Sequence, residues 1–73
     1  MPLVHVKILE NVFDQDQKAE IITKLTETMV GIEGESLRPF TWVTLEEVDS
    51  GSLGIGGRVM TTQDVKDVQA GKS

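Results

Sequence analysis

Two stretches of alternating side chains, separated by one helical stretch, constrain the fold of this chain most strongly. Residues 3–9 alternate with the period of a β-strand and are rich in β-branched side chains, and residues 40–48 repeat the pattern. Between them, apolar residues recur at helical spacing. A strand, a helix and a strand in this order predict a β-α-β unit whose strands are parallel and whose crossover is right-handed.

The helix has predicted start and stop signals. Asp14 is positioned to cap it, and Gln17 follows three residues later, as in a capping box. Gly31 and Gly34 predict that the helix ends between residues 30 and 33. The apolar stripe expected to face the sheet consists of Ile22, Leu25, Met29 and Ile32, flanked by Ala19 and Ile21.

The remaining segments predict less regular structure. Arg38-Pro39 predicts a loop, because a residue before proline disfavours the α-helical region. Residues 52–60 contain too many glycines for a helix and predict a short hairpin or an extended arm. Residues 62–73 read as a polar tail with one short helical turn at Val65 and Val68. The chain is therefore expected to be a single α+β domain, residues 1–73.

Composition narrows the possible functions. The chain has 7 Lys and Arg against 12 Asp and Glu, so its net charge of −5 argues against nucleic-acid binding. No apolar run is long enough to span a membrane. The absence of cysteine and the single histidine argue against a metal site. Residues 1–10 show no targeting signal, and together with the absence of cysteine this favours a cytoplasmic protein. A chain of 73 residues without disulfides or a bound metal is expected to bury additional apolar surface by self-association.

The candidate catalytic residue is Pro2. Removal of Met1 would leave Pro2 with an N-terminal secondary amine, and burial in an apolar pocket would lower the pKa of that amine. Such a group could act as a general acid or base. In an arbitrary protein, however, Pro2 would simply begin a strand.

The order of motifs resembles the 4-oxalocrotonate tautomerase family over about residues 2–60. Behind the N-terminal Met-Pro come Asp14-Gln15-Asp16-Gln17-Lys18 at the helix start, Glu46-Glu47 in the second strand and Gly54-Ile55-Gly56-Gly57. The resemblance implies β-α-β subunits in a homohexamer, a trimer of dimers, and an amino-terminal proline that moves a proton on a small-molecule enol substrate. It implies neither metal nor organic cofactor. Two arginines and an aromatic side chain are expected to complete the site.

This sequence departs from the family pattern at those three assisting positions. It has Asn11-Val12-Phe13 where the first arginine is expected, Trp42 where the second is expected and Leu53 in place of the aromatic residue. The resemblance therefore transfers only Pro2. Efficient turnover of a dicarboxylate is doubtful, because each lost charge-assisted pair is worth about 1.5–3 kcal/mol.

The substitutions favour an apolar substrate pocket. Its expected lining is Leu9, Val12, Phe13, Trp42 and Leu53. A substrate with an aromatic or alkyl group and at most one carboxylate would suit such walls. Arg38 or Arg58 could bind that carboxylate, although either could equally be a solvated surface charge. Trp42 could instead anchor an interface, and His5 is expected to be an exposed or interface histidine.

Two further interpretations stay open. A relative of the family that adds water to unsaturated or halogenated acids would use the same fold, but it needs an arginine clamp and a water-activating group. A non-catalytic chain, or a partner subunit in a hetero-oligomer with a homologous chain, would explain the missing arginines without enzymatic activity.

Overall fold

The structure, a computed structural model, describes residues 2–71. Its elements are β1 (Leu3–Leu9), α1 (Gln15–Glu33), a 3₁₀ helix (Glu35–Phe40), β2 (Trp42–Val48), β3 (Leu53–Ile55), β4 (Arg58–Met60) and α2 (Thr62–Gln69). The predicted β-α-β unit with parallel strands is confirmed, and so is the hairpin. Met1 and the last two residues of the predicted polar tail, Lys72 and Ser73, lie outside the described residues.

The two long strands begin at the same end of the sheet. Leu3 lies opposite Trp42, and Leu9 lies opposite Val48. From Leu3 to Ile8 and from Trp42 to Glu46, exposed residues alternate with half-buried ones, because one face of the sheet packs against α1 and the other is open there. Parallel pairing therefore places the first residues of the chain beside residues 40–42.

Helix α1 begins and ends as predicted, but its packed face is rotated. Asp14 and Gln17 form the capping box, and the helix ends at Glu33 before Gly34. Val30 is buried with 6% of its surface exposed, whereas Ile22 and Ile32 are 38% and 79% exposed. The packed side consists of Ile21, Leu25, Met29 and Val30. The spacing of Ile22 and Ile32 fits a helix, but it does not specify which side of the helix meets the sheet.

Arg38-Pro39 does not form the predicted loop; it lies within the 3₁₀ helix. The Leu37 amide donates to the Gly34 carbonyl at 3.2 Å, and the Thr41 amide donates to the Arg38 carbonyl at 3.2 Å. A helix this short tolerates the proline because only one backbone donor is lost.

The chain after β2 is more ordered than the predicted polar tail. Gly56 and Gly57, with φ of 60° and 85°, make the tight turn between β3 and β4. Helix α2 then occupies most of the segment expected to be a tail, and Thr61 and Asp64 form its capping box. The Thr62 hydroxyl also donates to the Glu10 carbonyl at 2.6 Å, which attaches α2 to the end of β1. The sequence predicts only one helical turn here, because Val65 and Val68 are the only large apolar residues between Thr62 and Gln69.

The core of one chain is small. Among the described residues only Leu9 and Val30 are buried apolar side chains. The accessible surface is 5222 Å², against roughly 4,500 Å² for a compact monomer of this mass. The radius of gyration is 14.9 Å, against about 11 Å for a compact domain of this length. Within residues 2–71 no helix is long and apolar enough to cross a bilayer.

Candidate active site

Pro2 lies in an apolar pocket of about 180 Å³ at the starting end of the sheet. The other lining residues are Leu3, Phe40 and Trp42. Pro2 is half-buried, whereas Trp42 is 59% exposed and Phe40 is 49% exposed. The pocket is thus an open, aromatic-walled depression around the candidate catalytic ring.

Strand pairing positions Pro2 beside Trp42. The Trp42 amide donates a hydrogen bond of 3.1 Å to the Pro2 carbonyl, immediately before the β1–β2 ladder begins. Phe40 is the last residue of the 3₁₀ helix and enters the pocket from that side. Three segments that are distant in sequence therefore meet at this end of the sheet.

Arg38 fixes the 3₁₀ helix to α1 through its guanidinium. Its Nη1 and Nη2 donate to the two carboxylate oxygens of Glu27 at 2.6 and 3.0 Å, and its Nε donates to Glu35 at 2.6 Å. These bonds lower the pKa of both glutamates, and they raise the pKa of Arg38. Because two carboxylates of its own chain occupy it, Arg38 is poorly placed to bind a substrate carboxylate.

The other predicted site residues lie away from this pocket. Seven residues of strand separate the two ends of the sheet, a distance of about 20 Å. The end of the sheet far from Pro2 carries the last residue of β1, the loop that follows it and the hairpin that follows β2. This group comprises Leu9, Val12, Phe13, Leu53 and Arg58. In a single chain the structure brings together Pro2 and Trp42 and leaves this group apart.

Two members of that group differ in their surroundings. Leu9 is buried, with 5% of its surface exposed, and contributes to the small core. Arg58 is exposed on β4, and no carboxylate within residues 2–71 lies at ion-pair distance from it. Arg58 therefore keeps its donors available, but at the end of the sheet opposite Pro2.

A row of polar side chains continues from the pocket along the open face of the sheet. His5 Nδ1 lies 2.6 Å from Thr44 Oγ1, and His5 Nε2 lies 2.9 Å from Glu46 Oε2. His5 and Thr44 are opposite each other, two residues beyond the Leu3–Trp42 pair. The walls of the pocket are therefore apolar, and the hydrogen-bonded side chains of His5, Thr44 and Glu46 lie next to it.

Sequence reasoning missed Leu3 and Phe40 as lining residues. The alternating patterns predict only that Leu3 and Phe40 lie in the two strands. The alternation of β1 does place Leu3 beside Pro2, but which residues of β2 meet them depends on the register. Within the described part of the chain, no three acidic or histidine side chains form a group that could hold a metal ion.

A family model described as "Tautomerase enzyme" matches residues 2–63. A crystal structure of apo unfused 4-OT superposes with a TM-score of 0.72 at 23% sequence identity; the match covers 81% of this chain and 93% of that chain. This likeness shows that the fold is shared. No curated protein matched the sequence.

Proposed function

The chain belongs to the tautomerase family, and from this premise we propose that it is a cofactor-free tautomerase that uses Pro2 as its general acid and base. The reaction interconverts the enol and keto forms of a small 2-oxo acid. The observation that carries the proposal is the position of Pro2 in an apolar pocket with aromatic walls.

The proposed chemistry requires the Pro2 nitrogen to be an amine, so Met1 must be removed. Apolar walls favour the uncharged amine over the ammonium form. The amine accepts the proton of the enol hydroxyl, and the resulting ammonium returns a proton to the neighbouring carbon. The O–H bond and the carbon–carbon π bond of the enol break, a C–H bond and the carbonyl π bond form, and the proline ends in its starting state. Pro2 alone moves both protons.

The pocket supports a substrate with an aromatic or alkyl group and at most one carboxylate. Phe40 and Trp42 offer ring faces, and apart from the amine of Pro2 no lining group can carry a charge. Two carboxylates would therefore lack charge-assisted partners within one chain, at a cost of about 1.5–3 kcal/mol each. An aromatic enol acid such as the enol of phenylpyruvate is the proposed substrate type.

We further propose that the working form is a homo-oligomer, a hexamer arranged as a trimer of dimers. The large surface of the single chain and its small core support self-association. Leu9, Val12, Phe13, Leu53 and Arg58 stay proposed substrate-binding residues that a neighbouring copy would supply. A cytoplasmic location is also proposed, and the lack of cysteine supports it.

The test compares ketonisation of phenylenolpyruvate and of a two-carboxylate dienol by three proteins. These are wild type shown by intact mass to lack Met1, Pro2→Ala, and a form that retains one residue before Pro2. Wild type should turn over the aromatic enol faster than the dienol. The other two should lose at least 100-fold in kcat/KM, as expected when a general base is removed. Equal activity in wild type and Pro2→Ala would refute the proposal.

The absence of any cation from the pocket favours one second candidate: a non-catalytic partner subunit of a hetero-oligomeric tautomerase. Arg38 is held by Glu27 and Glu35, so one chain offers no evident replacement for the missing arginines at Pro2. A chain that stays inactive alone and gains activity when mixed with a homologous second chain would support this candidate.

A further inference from the structure

We propose that Thr44, polarised by His5 and Glu46, binds the carboxylate of the ligand whose apolar part fills the Pro2 pocket. This inference deepens the proposed function, on which it rests for the class of substrate. It assigns a carboxylate subsite to three side chains on the open face of the sheet. Thr44 would contact the ligand, and His5 and Glu46 would be positioning residues.

The strand register places this subsite next to the pocket. Leu3 and Trp42, which line the pocket, are paired across β1 and β2, and His5 and Thr44 are the next pair on the same face. Two residues along a strand advance by about 7 Å. This distance is comparable to that between the ring and the carboxylate of an aryl-substituted three-carbon acid. A ring stacked on Trp42 can therefore place its carboxylate at Thr44.

The direction of the hydrogen bonds among Thr44, His5 and Glu46 depends on whether the His5 ring is protonated. When the ring is protonated, Nε2 donates to Glu46 and Nδ1 donates to the Thr44 oxygen. The Thr44 hydroxyl proton is then available to a ligand carboxylate. The negative carboxylate of the ligand, the positive imidazolium of His5 and the negative carboxylate of Glu46 then alternate in sign along the row of hydrogen bonds. Each of these bonds strengthens its neighbour.

The neutral ring reverses this polarity. With its proton on Nε2 toward Glu46, Nδ1 accepts the Thr44 hydroxyl proton. Thr44 then presents only oxygen lone pairs, which repel a carboxylate. Preference for a carboxylate should consequently require the protonated ring.

Other cations of the chain are less well placed for this role. Arg38 is bound to two glutamates, and Lys18 is bound to Glu47 on the helix-packed side of β2. Lys7 is the other cationic side chain on the same open face, where it lies opposite Glu46 and one pair farther from the pocket. Lys7 and Glu46 are thus the charged groups of the sheet that face His5.

The test measures binding through Trp42, the only tryptophan of the chain, and needs no turnover. Its fluorescence is titrated with 3-phenylpropanoate and with the uncharged 3-phenylpropanamide, at pH 6 and pH 8.5. Wild type should bind the carboxylate about tenfold more tightly than the amide at pH 6, as expected for one charge-assisted hydrogen bond. The preference should fall toward unity at pH 8.5.

Variants separate the three roles. Thr44→Val, which keeps the shape and suits a strand, should bind the carboxylate and the amide equally at both pH values, and Thr44→Ser should keep the wild-type preference. His5→Gln should remove the difference between the two pH values, and Glu46→Gln, which removes the carboxylate that orients the ring, should weaken the preference at pH 6. Lys7→Gln is the matched control on the same face and should keep the wild-type preference.

The binding test of the subsite and the turnover assay of Pro2 can fail independently of each other. A wild type without preference for the carboxylate, including one that binds neither compound, overturns the subsite, and so does a Thr44→Val variant that keeps the preference. Circular dichroism confirms that each variant is folded. Proline-dependent turnover can stand when the subsite fails, and the subsite can stand when Pro2→Ala keeps its activity.

Discussion

The ion pairs around Arg38 make the stability of the chain depend on pH at the scale of single residues. Hydrogen bonds from Arg38 lower the pKa of Glu27 and Glu35 below the usual 4.5. A carboxylate whose pKa is lower in the folded state stabilises that state above its unfolded pKa. The contribution is lost as the pH falls through the folded pKa.

We therefore expect Arg38→Gln to lower the melting temperature at pH 7, with a smaller difference from wild type below pH 4.5. Thermal unfolding followed by circular dichroism between pH 3 and pH 7 measures this. Lys24→Gln is the control, because Lys24 pairs only with Glu20 at 3.5 Å on the exposed side of α1. A constant difference across this pH range would contradict the prediction.

Two glycines should respond in opposite directions to the same substitution. Gly57 has φ of 85°, which an alanine adopts only with strain, so Gly57→Ala should destabilise the protein by about 1 kcal/mol. Gly31 lies in α1 without a positive φ, and no atom lies within 4 Å of an added Cβ. Gly31→Ala should therefore stabilise the protein by about 0.5 kcal/mol. Chemical denaturation measures both, and a Gly57→Ala variant as stable as wild type would refute the turn assignment.

Leu9 should matter for stability whether or not it meets substrate. It is 5% exposed, so Leu9→Ala should cost about 2–3 kcal/mol of unfolding free energy. Ile32→Ala removes a side chain of similar size that is 79% exposed and should cost less than about 0.5 kcal/mol. Equal losses would show that Ile32 is also buried, by contact with another copy.

At the scale of elements, helix α2 depends on its first turn. The Thr61 hydroxyl accepts from the Asp64 amide at 3.1 Å, and the Asp64 carboxylate accepts from the Thr61 amide at 3.0 Å. Thr61→Ala should cost about 1 kcal/mol and speed amide hydrogen exchange in residues 62–69. Thr23→Ala, on the exposed side of α1, is the control and should leave exchange in α2 unchanged. Unchanged exchange in Thr61→Ala would mean that the contacts of Thr62 alone hold α2.

Elements with a strong local signal could be predicted from the sequence. The alternation in β1, the Asp14–Gln17 capping box and the Gly56-Gly57 turn each act within a few residues, and the structure has all three. The 3₁₀ helix could not be predicted, because its guanidinium–carboxylate contacts join Arg38 to a residue eleven positions away. Local rules favour a loop at that point.

The site was predictable only where it depends on one residue. The motif order identified Pro2, and the substitution pattern singled out Trp42. The roles of Phe40 and Leu3 depend on the pairing of two strands about forty residues apart, which a short apolar pattern does not fix. The chain of contacts from Thr44 to Glu46 through His5 depends on the same register.

At the scale of the whole molecule, the surface of one chain exceeds that of a compact monomer by roughly 700 Å². A groove between β1 and α1 is lined by Val6, Ile21 and Leu25, together with Glu20 and Lys24. We expect light scattering to give a mass that is a multiple of 8.0 kDa, with six copies as the proposed number. The melting temperature should rise with protein concentration. A mass of one chain at micromolar concentration would refute self-association.

The elongated outline of the single chain, 42 × 23 × 18 Å, also affects how it moves through a solvent. A particle of this shape has more friction than a sphere of equal mass, so it diffuses slowly and leaves a sizing column early. A lone chain would thus imitate a heavier, rounder species. Elution volume calibrated on spherical standards would therefore overstate the number of subunits, whereas sedimentation equilibrium, which is independent of shape, would count them correctly.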